Sequence, residues 1–313
     1  MRRPEASVAV CSRSFARDPE LRARIEATYA QVRFYEGEGE LSGEGLVEFL
    51  RGADRAIVSL QRIDGPLLDR LPELRVVSKF GVGLDGLDLG AMAARGVRLG
   101  WTGGVNRRAV AELVLGLVIS LLRGVHLADR EIQGGRWRSV LGRELGQITL
   151  GVVGCGHIGK EVASLFRPLG TTVIAHDLLD FPDFYARWQV QALSLDALLA
   201  RADVVSLHLP LDASTRGLFD GPRLARMRPG ALLVNTARGG LVDEPALAAL
   251  LTSGHLAGAA FDVFAEEPPG RSPLVSAPGF LGTCHMAGST SAGVRAMGLA
   301  AIEGLEHNQV PRP

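Results

Sequence analysis

The chain has 313 residues, of which 47% are hydrophobic and 22% are charged. This balance is typical of globular proteins, and the length is sufficient for two packed domains. Because 34 Lys and Arg residues offset 34 Asp and Glu residues, the overall charge gives no reason to expect a nucleic-acid or anionic-membrane partner. Binding of an anionic substrate must therefore depend on local residues.

Neither export nor membrane insertion is expected from the sequence. The N-terminal segment MRRPEASVAV contains two arginines, but no long apolar stretch with a small-residue cleavage site follows them. The most apolar segment, Ala109 to Leu122, is too short to span a bilayer and contains Glu112, so it predicts a buried core helix. We therefore expect a cytoplasmic protein.

The three cysteines have no C-x-x-C pair and no metal-ligand spacing, which suits a reducing compartment and predicts no bound metal. Cys155 lies in a glycine loop and Cys284 lies beside a histidine, so either could act as a nucleophile. A single thiol without a defined base is weak support for that role. Both are expected to be small apolar residues at strand ends.

Short apolar runs alternate with helix-like spacing along the chain, which predicts an α/β fold with parallel sheets and crossover helices. In the first third, strands are predicted at Ser7 to Cys11, Arg33 to Tyr35, Ala56 to Leu60, Arg75 to Phe80 and Val97 to Trp101. Helices are predicted there at Glu20 to Tyr29, Glu44 to Arg51 and Pro66 to Leu71. The glycine- and acid-rich stretch from Glu36 to Gly45 is expected to be a surface loop.

A second series of strands begins near the middle of the chain. These strands are predicted at Ile148 to Val153, Thr171 to His176, Val204 to Leu209, Ala231 to Asn235, Gly258 to Val263 and Phe280 to Cys284. The helix from Asn106 to about Arg123 is expected to cross between two domains, and the last helix, about Thr290 to Glu306, to pack back on the first. We therefore predict a discontinuous domain of residues 1–101 with 288–313, and a second domain of residues 102–287.

Gly154, Gly156 and Gly159 have G-x-G-x-x-G spacing directly after an apolar strand and at the start of an amphipathic helix. The first glycine permits a tight turn, the second lets the backbone approach a diphosphate, and the third allows close helix-to-strand packing. The free N–H groups and the positive dipole at the helix N-terminus favour the same ligand. The pattern therefore predicts a dinucleotide site.

Asp177 ends the next predicted strand, close to the roughly 20-residue separation expected for the acid that hydrogen-bonds the ribose 2′-hydroxyl. A carboxylate at this position repels a 2′-phosphate, and two leucines rather than an arginine follow it. NAD is therefore predicted as the cofactor in preference to NADP.

Three later segments, ALLVNTARGGLVDE, GAAFDVFAEEPP and FLGTCHMAGST, each end an apolar strand with polar residues. Ligands in open α/β sheets bind at this carboxyl edge. Together with KFGVGLDGLDL, TGGVNRRAVAELVLGL and LHLPLDASTRGL, these segments make the chain closely resemble the D-isomer-specific 2-hydroxyacid dehydrogenase family. The resemblance covers most of the chain and implies two Rossmann-like or flavodoxin-like domains with an active-site cleft between them.

The resemblance implies a catalytic set of Arg238, Glu267 and His285, with Glu266 as an alternative register for the glutamate. His285 would donate a proton to the ketone oxygen during reduction and act as the base in reverse. Glu267 would favour the charged imidazole and hold its orientation. Arg238 would present paired donors to the substrate's carboxylate and carbonyl oxygens.

Further site residues are implied by the same resemblance. In the first domain, the backbone N–H groups of Val82 and Gly83 would hold the substrate carboxylate, with Asn106 close by; Lys79 could add a positive charge or could be simply solvated. The cofactor would be lined by Gly154, Gly156, His157, Ile158, Gly159, Asp177, Pro210, Thr215, Thr236, Ala237, Arg238, Asp262, His285, Ala287 and Gly288.

The function expected is hydride transfer between NAD and C2 of a small D-2-hydroxy acid or 2-keto acid. The family resemblance also implies a homodimer, with the segments Asn106 to Arg123 and Gln133 to Trp137 near its interface. An alternative is an NAD-sensing interaction protein that resembles the corepressors sharing this fold. The substrate's side chain is left open, including whether it is phosphorylated or phosphonylated.

Overall fold

The computed structural model describes residues 3–39 and 41–312, and Glu40 of the predicted surface loop lies outside them. Two units result, one containing the described residues up to Asn106 and from Ser289 onward, the other containing Arg107–Gly288. The boundaries therefore fall at 106/107 and 288/289, where the sequence predicted 101/102 and 287/288.

The first unit is built on a parallel sheet of five strands. They are β1 (Arg3–Val10), β2 (Tyr29–Phe34), β3 (Arg55–Val58), β4 (Val76–Lys79) and β5 (Arg98–Gly100). Their order in the sheet is β2-β1-β3-β4-β5. Residues of β4 are all buried, as expected for a parallel strand with helices on both faces. Both β1 and β2 begin four residues before their predicted starts.

Five helices connect these strands: α1 (Arg13–Ala16), α2 (Pro19–Thr28), α3 (Gly43–Leu50), α4 (Gly65–Asp69) and α5 (Leu89–Ala94). Asp18, Asp64 and Asp88 begin three of them by accepting hydrogen bonds from backbone N–H groups of the first turn, the usual function of aspartate at an N-cap. The predicted surface loop is shorter than expected because α3 begins at Gly43.

The second unit begins with two helices, α6 (Arg107–Arg123) and α7 (Val125–Gln133). Its strands are β6 (Thr149–Val153), β7 (Thr172–His176), β8 (Gln191–Ala192), β9 (Val204–Leu207), β10 (Leu232–Asn235), β11 (Gly258–Phe261) and β12 (Phe280–Gly282). The remaining helices are α8 (His157–Phe166), α9 (Pro182–Trp188), α10 (Leu195–Arg201), α11 (Gly221–Leu224) and α12 (Glu244–Thr252). The strands form one parallel sheet in the order β12-β11-β10-β9-β6-β7-β8.

The helix predicted from Asn106 to Arg123 is α6, and it belongs wholly to the second unit, in line with the predicted second domain of residues 102–287. It packs on α8 and on strands β10 and β11, and one face of it is buried, including Val114, Val118 and Leu121. Its apolar stripe serves the core of this unit, which explains why the segment is so hydrophobic.

The last helix, α13 (Ser291–Gly304), completes the first unit. Thr290 begins it by accepting a hydrogen bond from the Gly293 N–H, and the helix packs on β4 and β5. Its end lies against β5 so closely that a Cβ on Gly100 would be 2.2 Å from the carbonyl oxygen of Gly304. The core of the first unit therefore includes residues from both ends of the chain.

Among the described residues, no single helix is long and apolar enough to cross a membrane. Helices α6 and α7 would be long and apolar enough only if they formed one continuous helix, but the chain bends by 63° at the break between them.

Candidate active site

The glycine loop joins β6 to α8, and two of its glycines are fixed by their surroundings. Gly154 has φ +91°, and a Cβ there would lie 2.7 Å from the carbonyl oxygen of His208. A Cβ on Gly159 would lie 2.0 Å from the carbonyl oxygen of Gly154. Any side chain at either position would collide with backbone, so the tight turn and the close helix packing both require glycine.

Gly156 differs from these two because no other part of the described chain lies within 4 Å of a Cβ built there. Gly156 is the N-cap of α8, whose first N–H groups have no partner inside the helix. The side-chain oxygen of Thr236, another residue expected at the cofactor, is buried with no hydrogen-bond partner among the described residues. An uncovered glycine and an unsatisfied hydroxyl both fit a bound dinucleotide.

Asp177 lies directly after β7 and is half-buried. Its Oδ2 accepts a hydrogen bond of 2.6 Å from the Cys155 N–H, and its Oδ1 accepts one of 2.9 Å from the Leu179 N–H. The carboxylate therefore joins the glycine loop to the turn after β7, where an acid is required to contact a ribose hydroxyl.

The two cysteines singled out in the sequence differ in exposure. Cys155 is buried, and burial raises the pKa of its thiol to about 11, so it is a protonated, apolar residue as expected. Cys284 is exposed, and the expectation that it fills a strand end is wrong. The reason is that β12 ends at Gly282, which leaves Cys284 on the loop beyond it.

Arg238, Glu267 and His285 follow β10, β11 and β12, which are neighbours in one parallel sheet. Neighbouring strands lie about 4.8 Å apart, and the carboxyl ends of parallel strands share one edge. The fold of the second unit therefore brings the three segments to the same edge.

His285 and Glu267 are in direct contact. Nδ1 of His285 lies 2.7 Å from Oε2 of Glu267, while Oε1 of Glu267 accepts a hydrogen bond of 3.0 Å from the Phe264 N–H. Glu267, and not Glu266, is thus the glutamate beside the histidine. Within the described part of the chain, Nε2 of His285 has no hydrogen-bond partner. One ring nitrogen is occupied by a carboxylate, and the other is available for a substrate.

Asp262 holds the loop that carries His285. Its buried carboxylate accepts hydrogen bonds from the Thr283 hydroxyl at 2.6 Å and from the Met286 and Ala287 N–H groups at 2.9 and 2.8 Å. The His285 N–H donates to the Asp262 carbonyl oxygen at 2.8 Å. His285 has φ +52°, a conformation that is costly for a residue other than glycine and that the surrounding hydrogen bonds maintain.

Asn235 holds the backbone around Arg238 in a turn through two side-chain hydrogen bonds. The Asn235 Oδ1 accepts a hydrogen bond of 3.0 Å from the Ala237 N–H, and its Nδ2 donates one of 2.8 Å to the Arg238 carbonyl oxygen. Asn235 was not singled out in the sequence, although asparagine often bonds backbone groups two or three residues away. Its position at the end of a strand could have indicated this role.

Thr215 and Pro210, both expected at the cofactor, are joined to each other. The Thr215 hydroxyl donates to the Pro210 carbonyl oxygen at 2.8 Å and accepts from the Asp212 N–H at 2.9 Å. Hydrogen bonds from Ser214 hold the pKa of the Asp212 carboxyl below its usual range. The loop after β9 is therefore a closed turn.

The substrate-binding residues that were expected in the first domain lie in the first unit, at and after the end of β4. Gly81 has φ +136°, which only glycine adopts readily. The Val82 carbonyl oxygen accepts a hydrogen bond of 3.0 Å from the indole of Trp101. Lys79 is buried and its ammonium donates to the Ser59 carbonyl oxygen, so the alternative of a solvated lysine is wrong. Asn106 is buried with its Oδ1 unpaired among the described residues.

Comparison with known proteins agrees with this geometry. The family model described as "D-isomer specific 2-hydroxyacid dehydrogenase, NAD binding domain" matches residues 115–287. A (S)-sulfolactate dehydrogenase of Chromohalobacter salexigens is 45% identical over 234 residues, which are 73% of this chain and 75% of that protein. A D-3-phosphoglycerate dehydrogenase of Mycobacterium tuberculosis is 39% identical over 264 residues, 83% of this chain. The chain spans only 49% of the length of that second relative.

Solved structures show the same architecture. A glyoxylate reductase from Paecilomyes thermophila has a TM-score of 0.85 and 27% identity, covering 96% of this chain and 94% of that one. The family match alone includes more than half of the 313 residues. The chain therefore belongs to the D-isomer specific 2-hydroxyacid dehydrogenase family and is an NAD-dependent oxidoreductase.

Proposed function

We propose that the chain transfers a hydride between NAD and C2 of a small 2-hydroxy acid or 2-keto acid, with His285 as the acid and base. The observation that carries this proposal is the 2.7 Å contact between His285 and Glu267 at the carboxyl edge of the nucleotide-binding sheet. Reduction of a ketone requires a hydride at carbon and a proton at oxygen, and bound NADH supplies the hydride.

The Glu267 carboxylate fixes which nitrogen of His285 serves the substrate. Because Nδ1 faces Glu267, Nε2 is the atom that meets the substrate oxygen. In the protonated ring, Nε2 donates its proton to the ketone oxygen; in the neutral ring with its proton on Nδ1, Nε2 accepts the proton of the alcohol. The same pair therefore serves both directions of the reaction.

Arg238 is the proposed substrate anchor. A guanidinium offers planar, paired donors, which suit a carboxylate and an adjacent carbonyl oxygen. The backbone beside it is fixed by Asn235, so the direction from which the substrate is presented to the cofactor would be fixed as well. This role explains why a 2-keto acid, and not a simple ketone, is the expected substrate.

We infer that the substrate carries a second anionic group. Two relatives at 45% and 39% identity are named for sulfolactate and phosphoglycerate, which are 2-hydroxy acids with a sulfonate or phosphate at the far end. Oxidation of NADH, and separately of NADPH, should be followed with sulfopyruvate, 3-phosphohydroxypyruvate, pyruvate and glyoxylate. The highest kcat/KM is expected with NADH and one of the first two; a clear preference for pyruvate or glyoxylate would contradict the inference.

The same assay separates the enzyme from the alternative of an NAD-sensing interaction protein. Turnover with any 2-keto acid of the panel supports hydride transfer. Tight NADH binding without turnover across the whole panel would instead contradict the proposed reaction.

The proposal includes a homodimer formed through α7 and the segment after it. None of the nine residues of α7 is buried, and Ile132, Trp137 and Leu141 have relative exposures of 59, 92 and 101%. We propose that these exposed apolar side chains, which are close in the sequence, form one patch, and such a patch often marks a protein interface. Sedimentation velocity should show a dimer that the double substitution Trp137→Ser with Leu141→Ser weakens; a wild-type protein that is monomeric at all concentrations would contradict this assembly.

A further inference from the structure

We infer that Glu244 is a positioning residue, whose buried carboxylate fixes the segment that carries Glu267 and thereby aims His285. This inference rests on the proposed function, because it concerns the same proton-transfer pair. Glu244 itself touches neither of those two side chains through any hydrogen bond among the described residues.

The carboxylate of Glu244 bridges both sides of the Glu267 segment. Glu244 is the first residue of α12 and is only 7% exposed. Its Oε1 accepts a hydrogen bond of 2.7 Å from the Ala265 N–H, and its Oε2 accepts one of 3.2 Å from the Ser272 hydroxyl. These partners lie two residues before and five residues after Glu267 in the sequence. One side chain therefore ties the segment to α12 at two points.

This arrangement is unusual for a buried acid. In the described part of the chain, Glu244 forms no salt bridge, and its polar partners are a backbone amide and a hydroxyl. A buried carboxylate without a cation is costly unless hydrogen bonds compensate for lost water. Its place in the first turn of a helix adds the favourable end of the helix dipole. The site is thus built to keep a negative oxygen directed at the Ala265 amide.

Consecutive amides connect Glu244 to the catalytic pair. The Phe264 N–H donates to Oε1 of Glu267, and the next N–H, that of Ala265, donates to Glu244. A Cβ on Gly239 would lie only 1.8 Å from the Phe264 carbonyl carbon, so the backbone following Arg238 packs directly on this peptide. The backbone after Arg238 therefore packs on the Glu267 segment, and Glu244 adds hydrogen bonds that tie the same segment to α12.

Loss of this contact should affect the chemical step and not cofactor binding. Without Glu244, the Ala265 amide loses its acceptor and the segment can move relative to Arg238. A small displacement of Glu267 would leave His285 less well aimed, and misplacement of about 1 Å can reduce a rate by about 100-fold. The glycine loop and Asp177 contact neither Glu244 nor its partners among the described hydrogen bonds.

Glu244→Ala and Glu244→Gln should be compared for kcat, KM and NADH affinity. We expect Glu244→Ala to lower kcat by roughly 10- to 100-fold with little change in the Kd for NADH. Glu244→Gln should restore most of kcat, because the amide oxygen can still accept from Ala265. The matched control is Asp203→Ala, which removes a carboxylate that is 13% exposed and accepts a hydrogen bond from the Thr149 N–H elsewhere in the same unit. This variant should be less stable than the wild type but should have a similar kcat.

A double-mutant cycle tests whether Glu244 acts through Glu267. In a Glu267→Ala background, the further change Glu244→Ala should cost much less than it does in the wild type. Equal losses in both backgrounds, an equal kcat loss in Asp203→Ala, or a Glu244→Gln variant as slow as Glu244→Ala would overturn the inference.

Hydrogen exchange gives a readout that does not depend on turnover. Amides of residues 264–272 should exchange faster in Glu244→Ala than in the wild type, whereas those of the glycine loop should not. Unchanged exchange in this segment would overturn the inference even in an active enzyme. If the wild-type protein reduces no 2-keto acid but residues 264–272 still exchange faster in Glu244→Ala, only the proposed function is contradicted.

Discussion

His285 illustrates how single residues of this site are fixed from several directions. Its backbone is in the left-handed region, its N–H is bonded to the Asp262 carbonyl oxygen and its Nδ1 faces Glu267. The first two features fix the backbone that carries the imidazole, and the third restrains the orientation of the ring. What remains is one ring nitrogen in a defined direction, which is the condition for efficient proton transfer.

Replacement of His285 should remove the chemical step and leave cofactor binding intact. Because general acid–base catalysis contributes about 10²- to 10⁴-fold, kcat for His285→Ala should fall by at least about 100-fold. His285→Asn is the better-matched variant, since asparagine tolerates the left-handed backbone. Stopped-flow kinetics and a fluorescence titration of NADH measure the two properties, and wild-type turnover in either variant would remove His285 from the mechanism.

Asp177 should determine the choice between NADH and NADPH. A hydrogen bond between a carboxylate and a ribose hydroxyl contributes about 1.5–3 kcal/mol. Asp177→Ala should therefore reduce the ratio of kcat/KM for NADH to kcat/KM for NADPH by about tenfold or more. The loss of its bonds to the Cys155 and Leu179 amides affects both cofactors alike, so the ratio isolates the ribose contact. An unchanged ratio would contradict the assignment.

His208 should make the fold less stable in acid. Burial lowers the pKa of this imidazole from 6.5 to about 3, although the residue as a whole is half-buried. Between these values the unfolded chain binds a proton that the folded chain does not, so the free energy of unfolding falls as pH decreases from about 6.5 towards 3. Urea unfolding at pH 7.5 and 5.0 should show a smaller decrease for His208→Gln than for the wild type; equal decreases would show that His208 is not responsible.

At the scale of elements, the strand–loop–helix from β6 to α8 shows that glycines of one motif serve different purposes. Gly159 is required by packing, since its hydrogen faces the Gly154 carbonyl oxygen, whereas Gly156 has open space above it. Stability and cofactor affinity should therefore respond differently to substitution at these two positions.

Gly159→Ala and Gly156→Ala test this separation. Gly159→Ala should lower the free energy of unfolding by about 1–3 kcal/mol through overpacking. Gly156→Ala should keep near wild-type stability but raise the Kd for NADH by about tenfold, or 1.4 kcal/mol. Chemical denaturation and NADH titration distinguish them, and the opposite pattern would mean that Gly156 is structural.

Most of the regular elements could be predicted from the sequence because apolar periodicity reflects burial. From β6 onward, every strand that was predicted begins within one residue of its predicted start, since buried parallel strands are short runs of apolar residues. Exposed Ala30 and Gln31 interrupt the apolar pattern near the start of β2, and the two-residue β8 has no buried residue to indicate it.

His285 and Glu267 were predicted through family motifs, whereas the hydrogen bonds that hold this site were not. Glu244 and Asn235 bond backbone atoms in their own or distant segments, and such contacts depend on the tertiary structure. The opposite exposures of Cys155 and Cys284 have the same origin. A sequence motif identifies chemical groups, but it does not describe the hydrogen bonds that support them.

For the molecule as a whole, the first unit depends on the return of α13. Met297, Ala301, Ile302 and Leu305 are buried in the same cluster as residues of β1 and α2. The backbone contact between Gly100 and Gly304 fixes how closely the helix approaches the sheet. The two ends of the described chain therefore contribute to one core.

Gly100→Ala should destabilise the first unit. Its Cβ would lie 2.2 Å from a backbone oxygen of Gly304, and moving α13 outward should cost about 1–3 kcal/mol. Gly45→Ala is the matched control in the same unit, because it lies in α3 with only an ordinary contact at 3.9 Å and should be neutral or stabilising. Urea unfolding measures both, and equal stabilities of the two variants would contradict the close approach.

The return of α13 has a consequence for the order in which the protein is made. A ribosome releases residues from the N-terminus onward, and domains generally fold as they emerge. The second unit, Arg107–Gly288, is complete before the helix that begins at Ser291 has been translated. The nucleotide-binding unit should thus fold first, while an apolar face of the nascent β1–β5 sheet remains uncovered until α13 has been translated.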